Sequence, residues 1–211
     1  MALPGLLGYK RLIMTTSRQA TLHRVTSETD IAITLNLDGS GTARIETGIG
    51  FFDHMLTALA KHALFDLDVR VQGDLHIDGH HTVEDTGIAL GQALRQALGE
   101  KRGVRRFGHA VVPLDEALCE AVVDLSGRPF LTFDARFDRD RLGTLDTELV
   151  EEFFRAFAMS AMLTLHLNQK AGRNCHHIAE AAFKALARAL RMACEPDPRA
   201  LEAIPSTKGV L

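Results

Sequence analysis

Several residue types are scarce in this chain of 211 residues, and each scarcity argues against a class of protein. Tryptophan is absent and there is one tyrosine, so stacking on nucleic-acid bases has few side chains to use. Three scattered cysteines indicate reduced thiols in a cytoplasmic protein and no disulfide framework. A net charge of −3 gives no electrostatic reason to bind nucleic acid or an anionic membrane. No apolar run approaches the ~20 residues needed to cross a bilayer.

The first 17 residues differ from the rest of the chain. In residues 1–11 the apolar residues precede the positive charges, which reverses the order of a secretory signal peptide. Met14 offers an alternative start. We therefore expect 1–17 to be a disordered or dispensable extension, followed by a first half-repeat over 18–101 and a second over 102–211.

Hydrophobic periodicity predicts the elements of the first half. Alternation with period two is typical of half-buried strands, and spacing near 3.6 is typical of helices. These patterns predict strands over 20–26, 30–37, 42–46 and 64–71 and helices over 52–63 and 83–98. The turn residues Asp38 to Gly41 predict a hairpin whose returning strand is 42–46. Gly99 to Gly103 is the strongest boundary signal in the chain.

The second half repeats the plan. Strands are predicted over 117–125, 129–133 and 163–167, and helices over 149–161 and 176–192, with the first two strands paired around Ser126-Gly127. The order β-β-α-β-α thus occurs twice, which indicates an internal duplication. We expect an α+β fold of two four-stranded sheets with helices packed between them. The Ala-rich helix over 178–193 favours close packing, so we place it beside its sister helix from the first half.

A duplicated His-His-x-x-Glu motif carries the chemistry. Its side chains are His80, His81 and Glu84 in the first copy and His176, His177 and Glu180 in the second. Helical residues three and four apart share a face, so both histidines of a copy can reach its glutamate. Adjacent histidines differ by roughly 100° around the axis, so two pairs predict two metal centres. Imidazoles with a carboxylate suit Mn, Fe, Co or Zn better than Mg or Ca. The lack of a cysteine cluster argues against a closed structural zinc site.

Other candidates depend on their position. His54 lies in the first turn of its helix, and alignment of the two repeats makes Glu152 the corresponding residue of the second half. Glu28 taken alone is a solvated charge at a strand end. Arg106 and Arg128 are either loop charges or guanidinium forks for a phosphate. Ser206-Thr207-Lys208-Gly209 is either a frayed tail or a phosphate cradle of hydroxyls, an ammonium and backbone amides.

From about residue 20 to the C-terminus the chain resembles the imidazoleglycerol-phosphate dehydratase family. The resemblance is carried by several motifs in the family's order: Phe52-Asp53-His54-Met55-Leu56, His80-His81-Thr82-Val83-Glu84-Asp85, Arg106-Phe107-Gly108, Asp124-Leu125-Ser126-Gly127-Arg128-Pro129, Asn174-Cys175-His176-His177-Ile178-Ala179-Glu180 and Pro205-Ser206-Thr207-Lys208-Gly209. Residues 1–17 match nothing in the family.

The resemblance implies a histidine-biosynthesis enzyme that removes water from imidazole glycerol phosphate to give imidazole acetol phosphate. It implies two Mn²⁺ per active site, with ligands from His54, His80, His81, Glu84, His176, His177 and Glu180. It further implies substrate contacts from Glu28, His54, Arg106, Arg128, Ser206, Thr207 and Lys208. The family assembles as a 24-subunit homo-oligomer whose sites are completed between subunits.

One position departs from the family pattern. Where some members have a histidine before Phe153-Phe154, this chain has Glu152. A carboxylate also ligates Mn²⁺. Glu152 is therefore either a changed metal ligand or a residue outside the metal site.

The implied reaction explains the need for these groups. The proton that leaves the carbon chain is not acidic, and hydroxide is a poor leaving group. Metals on the ring nitrogens would favour an electron-rich imidazolate. Glu28, or the metal-facing carboxylates Glu84 and Glu180, would then move the protons.

Two other classes remain open from the residues alone. A di-metal hydrolase of a small phosphorylated substrate would give hydrolysis products and no ketone. A metal-storage shell would have no use for the phosphate-binding arginines and lysine.

Overall fold

The structure, a computed structural model, describes residues 18–211. The predicted N-terminal extension and the alternative start at Met14 lie outside the described residues. Within 18–211, no helix has both the length and the apolar content needed to span a membrane.

The first half forms three strands, a helix, a strand and a helix. These are β1 (Gln19–Val25), β2 (Thr29–Asn36), β3 (Ala43–Glu46), α1 (Gly50–Ala63), β4 (Asp66–Gly73) and α2 (His80–Leu98). The second half repeats this order with a small hairpin inserted before its first helix. Its elements are β5 (Phe107–Leu114), β6 (Ala117–Asp124), β7 (Phe130–Asp134), β8 (Arg141–Leu142), β9 (Leu145–Asp146), α3 (Glu148–Ala161), β10 (Thr164–Ala171) and α4 (Cys175–Cys194).

Each half contributes one four-stranded sheet, with the strand orders β1-β2-β4-β3 and β5-β6-β10-β7. The expectation of an α+β fold with two four-stranded sheets is thereby confirmed. The order within each half is β-β-β-α-β-α, however. The order β-β-α-β-α left out one of the three predicted strands of the first half, and in the second half β5 was not predicted. Apolar residues stand on both faces of β5, Phe107 and Val111 on the exposed face and Val112 and Leu114 on the inner face, so the strand shows no clear alternation with period two.

Two predicted strand pairings are wrong for the same reason. Strand β3 pairs in parallel with β4, and β7 pairs in parallel with β10, so neither returns as a hairpin on the strand before it. A parallel pair needs a crossover connection, and α1 and α3 provide it. Strands β4 and β10 therefore lie between the strands that had been paired.

The helices pack between the sheets, but not in the predicted pairs. Helix α2 lies on β1 and β2 and packs against α3, whereas α4 lies on β5 and β6 and packs against α1. The expectation that α2 and α4 lie side by side is wrong. A side chain on Gly108 of β5 would collide with the backbone carbonyl oxygen of Ala189, so the glycine allows α4 to lie close to the sheet.

Phenylalanines join the two halves in the core. Phe52 of α1 contacts Phe153 of α3 edge to face, with ring centroids 5.3 Å apart. Phe153 also stacks on Phe183 of α4 at 5.1 Å. All three side chains are buried, so the apolar surface of both halves is removed from water in one continuous core. The three cysteines, Cys119, Cys175 and Cys194, are free and buried.

Candidate metal and substrate site

Both histidine pairs occupy the first turn of a helix. Helix α2 begins at His80, three residues before its predicted start, and the Asp78 carboxylate accepts the backbone N–H of His80 at 2.7 Å. Helix α4 begins at Cys175, and the Asn174 side chain accepts the N–H groups of His176 and His177 at 3.0 and 3.4 Å. The Asn174 cap thus holds the second pair at the exposed start of α4, and Asp78 contacts the start of α2.

Three predicted ligands meet where α1 packs against α4. His54 Nε2 and His176 Nε2 each lie 3.1 Å from Glu180 Oε2, and the three ligand atoms lie within 4.8 Å of one another. Among residues 18–211 no other set of three such side chains is this close. Two imidazoles and a carboxylate form a donor set that fits Mn, Fe, Co or Zn.

Lys184 controls the charge of Glu180. Burial opposes ionisation of Glu180, but Lys184 Nζ at 2.6 Å from Oε1 and the two imidazoles outweigh it and lower the pKa of Glu180 to about 2. Glu180 is therefore an anion near neutral pH, the form that ligates a metal. Lys184 was not among the predicted site residues, although it lies four residues after Glu180 on the same face.

The second histidine of each pair contacts a different carboxylate. His81 Nδ1 lies 2.9 Å from Asp74 Oδ2, and His177 Nδ1 lies 2.7 Å from Glu116 Oε2. These contacts raise the pKa of both histidines. Hydrogen bonds from His177 and from two backbone N–H groups lower the pKa of Glu116 to about 2.

The first motif copy is more open than the second. His80 Nε2 lies 3.9 Å from Glu84 Oε2, whereas His81 contacts Asp74 through Nδ1. Glu152 does not join His80 and Glu84 in a three-ligand group, since none besides that of His54 is found in the described part of the chain. Its carboxylate Oε2 instead lies 3.0 Å from Arg155 Nη1.

Glu28 lies on the turn between β1 and β2, with Oε1 4.0 Å from His81 Nε2. The Thr26 hydroxyl accepts the backbone N–H of Glu28 at 3.1 Å, and the neighbouring Thr29 hydroxyl donates to buried Asp85 at 2.5 Å. Asp85 belongs to α2, one residue after Glu84. Helix α2 therefore anchors the turn that carries Glu28, a contact that motif spacing did not reveal.

The two predicted phosphate-binding arginines lie beside one carboxylate, that of Asp124. Arg106 donates two hydrogen bonds to the Asp124 carboxylate, from Nε to Oδ1 at 2.7 Å and from Nη2 to Oδ2 at 3.2 Å. Its Nη1 donates to the carbonyl oxygen of Pro205 at 2.8 Å. Arg128 Nη2 lies 3.7 Å from the same carboxylate, and its side chain is 69% exposed. Arg106 thus ties the tail to the sheet, and Arg128 is open to a ligand.

The tail itself folds into a compact turn after Pro205. The Ser206 hydroxyl accepts the backbone N–H of Lys208 at 3.2 Å, and the Ser206 carbonyl accepts that of Gly209 at 3.1 Å. Thr207 and Lys208 are exposed. Arg106 contacts the start of this segment through the carbonyl of Pro205.

Comparison with known proteins agrees with the motifs. The family model of imidazoleglycerol-phosphate dehydratase matches residues 47–190. The imidazoleglycerol-phosphate dehydratase of Gluconacetobacter diazotrophicus is 74% identical over 198 residues, which cover 94% of this chain and 100% of that protein. That of Gluconobacter oxydans is 68% identical over the same shares of both chains.

Solved structures give the same answer. The crystal structure of imidazoleglycerol-phosphate dehydratase from Staphylococcus aureus is 41% identical, with a TM-score of 0.77 over 85% of this chain and 99% of that chain. The enzyme from Pyrococcus furiosus, crystallised in complex with (S)-C348, is 39% identical, with a TM-score of 0.77 over 90% and 100% of the two chains. The chain belongs to the imidazoleglycerol-phosphate dehydratase family.

Proposed function

We infer that this protein is a hydro-lyase of histidine biosynthesis that removes water from imidazole glycerol phosphate to give imidazole acetol phosphate. The observation that carries this inference is the group of His54, His176 and Glu180, built by both halves of a chain that belongs to the dehydratase family. The relatives are dehydratases, which favours elimination over the hydrolase and storage alternatives.

We propose that the enzyme uses two Mn²⁺ ions per active site. The proposed ligands are His54, His80, His81, Glu84, His176, His177 and Glu180. The donor chemistry of His54, His176 and Glu180 fits such an ion, and Glu180 is ionised at neutral pH. When bound, a divalent metal supplies positive charge that favours the deprotonated form of an azole ring. Glu152 remains a predicted ligand, and its contact with Arg155 supports a role outside the metal site.

Glu28 is the proposed proton-transfer group. In the elimination a C–H bond and the neighbouring C–O bond break, the hydroxyl leaves as water, and the resulting enol tautomerises to the ketone. Glu28 is half exposed and close to His81, so its carboxylate can take the proton lost from carbon. Glu84 and Glu180 are the alternative proton carriers, but the contact with Lys184 lowers the pKa of Glu180 and makes it a weaker base, which favours Glu28 over Glu180.

The phosphate would bind at Arg128, Arg106 and the tail hydroxyls and amine of Ser206, Thr207 and Lys208. Arg128 offers the open guanidinium, while Arg106 holds Pro205 beside it. Fixing the phosphate positions the ring relative to the metal ligands, which is a contribution to orientation. We further propose a cytoplasmic, 24-subunit assembly with sites completed between subunits. Mass photometry of the purified protein tests that assembly.

Glu28→Gln tests the proton-transfer assignment. General acid–base catalysis contributes about 10²- to 10⁴-fold, so we expect kcat to fall in that range with metal content unchanged. The assay follows ketone formation from imidazole glycerol phosphate by ultraviolet absorbance and measures bound manganese by elemental analysis. Glu46→Gln, an exposed glutamate of β3 paired with Arg44, is the control and should retain kcat. Full turnover by metal-loaded Glu28→Gln would show that another group moves the proton.

A further inference from the structure

Asp74 and Glu116 make the same contact in opposite halves of the molecule. Each carboxylate lies beside Nδ1 of the second histidine of a motif copy, 2.9 Å from His81 and 2.7 Å from His177. In a neutral imidazole one nitrogen donates a hydrogen bond and the other accepts one. Because an ionised carboxylate only accepts, Nδ1 carries the hydrogen, and in the neutral ring this leaves the lone pair on Nε2.

We propose that Asp74 and Glu116 are positioning residues that fix the tautomer and the ring orientation of His81 and His177 so that Nε2 of each is presented to a divalent metal ion. The proposal rests on the proposed function, in which these two histidines are metal ligands. Partners of this kind on ligating histidines orient the ring and strengthen the ligand.

Glu116 is itself held in place. Its Oε1 accepts the backbone N–H groups of Arg173 and Asn174 at 3.2 and 2.8 Å, while Oε2 meets His177. Asn174 in turn caps α4. One carboxylate therefore joins the β5–β6 turn, the start of α4 and the imidazole, which leaves the ring little freedom to rotate.

Asp74 is held by burial. Its side chain is 12% exposed, and Oδ1 is buried without a hydrogen-bond partner among the described residues. A buried unpaired acceptor is costly and therefore requires an explanation. Holding His81 through Oδ2 provides one, since the carboxylate must stay at the end of β4 to reach Nδ1.

The two carboxylates are not copies of each other. Asp74 follows β4 directly, whereas Glu116 lies in the turn between β5 and β6. Duplication of an ancestral half would place both at the same position of the repeat. The same contact arises from two different positions, which indicates that the contact itself is required at both histidines.

The experiment measures Mn²⁺ binding to the metal-free full-length protein by calorimetry for Asp74→Asn and Glu116→Gln. We expect the affinity of each to fall about 10- to 100-fold. Asp30→Asn is the matched control, because Asp30 Oδ1 lies 2.6 Å from His23 Nε2 in an exposed pair away from the motifs. Its affinity should equal that of the unchanged protein.

A second readout separates positioning from a general loss of structure. Co²⁺ bound to Asp74→Asn or Glu116→Gln should show an altered visible spectrum, with a circular dichroism spectrum like that of the unchanged protein. If one variant fails to fold, the other provides the test. Affinities within twofold of the unchanged protein and the same Co²⁺ spectrum overturn the proposal. If the variants lose affinity as expected but the unchanged, Mn²⁺-loaded protein forms no ketone from imidazole glycerol phosphate, the proposed function is overturned and the positioning role stands.

Discussion

Gly91 lies where α2 comes closest to α3, and its replacement by alanine tests how tightly these helices are packed. A Cβ at Gly91 would lie 2.6 Å from the carbonyl oxygen of Phe157 and 2.8 Å from the backbone nitrogen of Ala161. Both contacts are far below van der Waals distance and involve backbone atoms, which move only if the helix moves. The new methyl group therefore pushes α2 away from α3.

Two opposing contributions determine the size of the effect. Alanine is favoured over glycine inside a helix by about 1 kcal/mol. Overpacking costs about 1–3 kcal/mol, and a collision with backbone atoms belongs at the upper end of that range. We expect Gly91→Ala to lose about 1–2 kcal/mol of stability, which lowers Tm by roughly 2–8 °C for a chain of this size.

The matched control is Gly50→Ala at the first residue of α1. A Cβ there meets no atom within 4 Å, so the helix preference acts alone and Tm should stay unchanged or rise. Thermal unfolding is followed by circular dichroism at one protein concentration without added metal, because ligands and assembly shift Tm. A Tm for Gly91→Ala equal to or above that of Gly50→Ala would refute the close packing of α2 on α3.

Three further outcomes are expected. Saturating Mn²⁺ at about 100 times Kd should stabilise the protein by about 2.7 kcal/mol, and thermal unfolding of His54→Ala should show a smaller rise in Tm. Arg106→Lys should raise KM more than it lowers kcat in the ketone assay, because lysine cannot grip Asp124 with two nitrogens while holding the tail. The backbone N–H groups of Ser40 and Thr42 lower the pKa of Asp66, so ionised Asp66 stabilises the folded protein. This contribution to the free energy of unfolding is lost as pH falls through the folded pKa of Asp66. The Tm difference between the unchanged protein and Asp66→Asn should therefore narrow from pH 6 to pH 3.

The part of the site that follows local helix geometry could be predicted from the sequence. His176 and Glu180 are four residues apart on one face, and they meet at 3.1 Å. The third member, His54, reaches them only because α1 packs on α4, which no local pattern encodes. The expectation for His54 came from its place in the repeat and from the family resemblance.

Contacts that depend on tertiary structure were missed for a related reason. Glu116 is remote from His177 in the chain, and its contact requires the β5–β6 turn to lie beside the start of α4. The strand order could likewise not be predicted from the sequence, because alternation indicates which face of β3 points inward but not which strand lies beside it. Parallel pairing with β4 depends on the crossover through α1.

The pairing of α1 with α4 and of α2 with α3 has a consequence for any shorter ancestor of this chain. His54 precedes the midpoint of the sequence, whereas His176 and Glu180 follow it, so a polypeptide ending after α2 would own one side chain of this triad. Such a polypeptide could form an equivalent triad by dimerising, with α1 of one copy packed against α2 of the second copy. In a chain that joins both halves the corresponding positions can differ: Glu152, which aligns with His54 in the repeat, contacts Arg155 instead of a motif histidine.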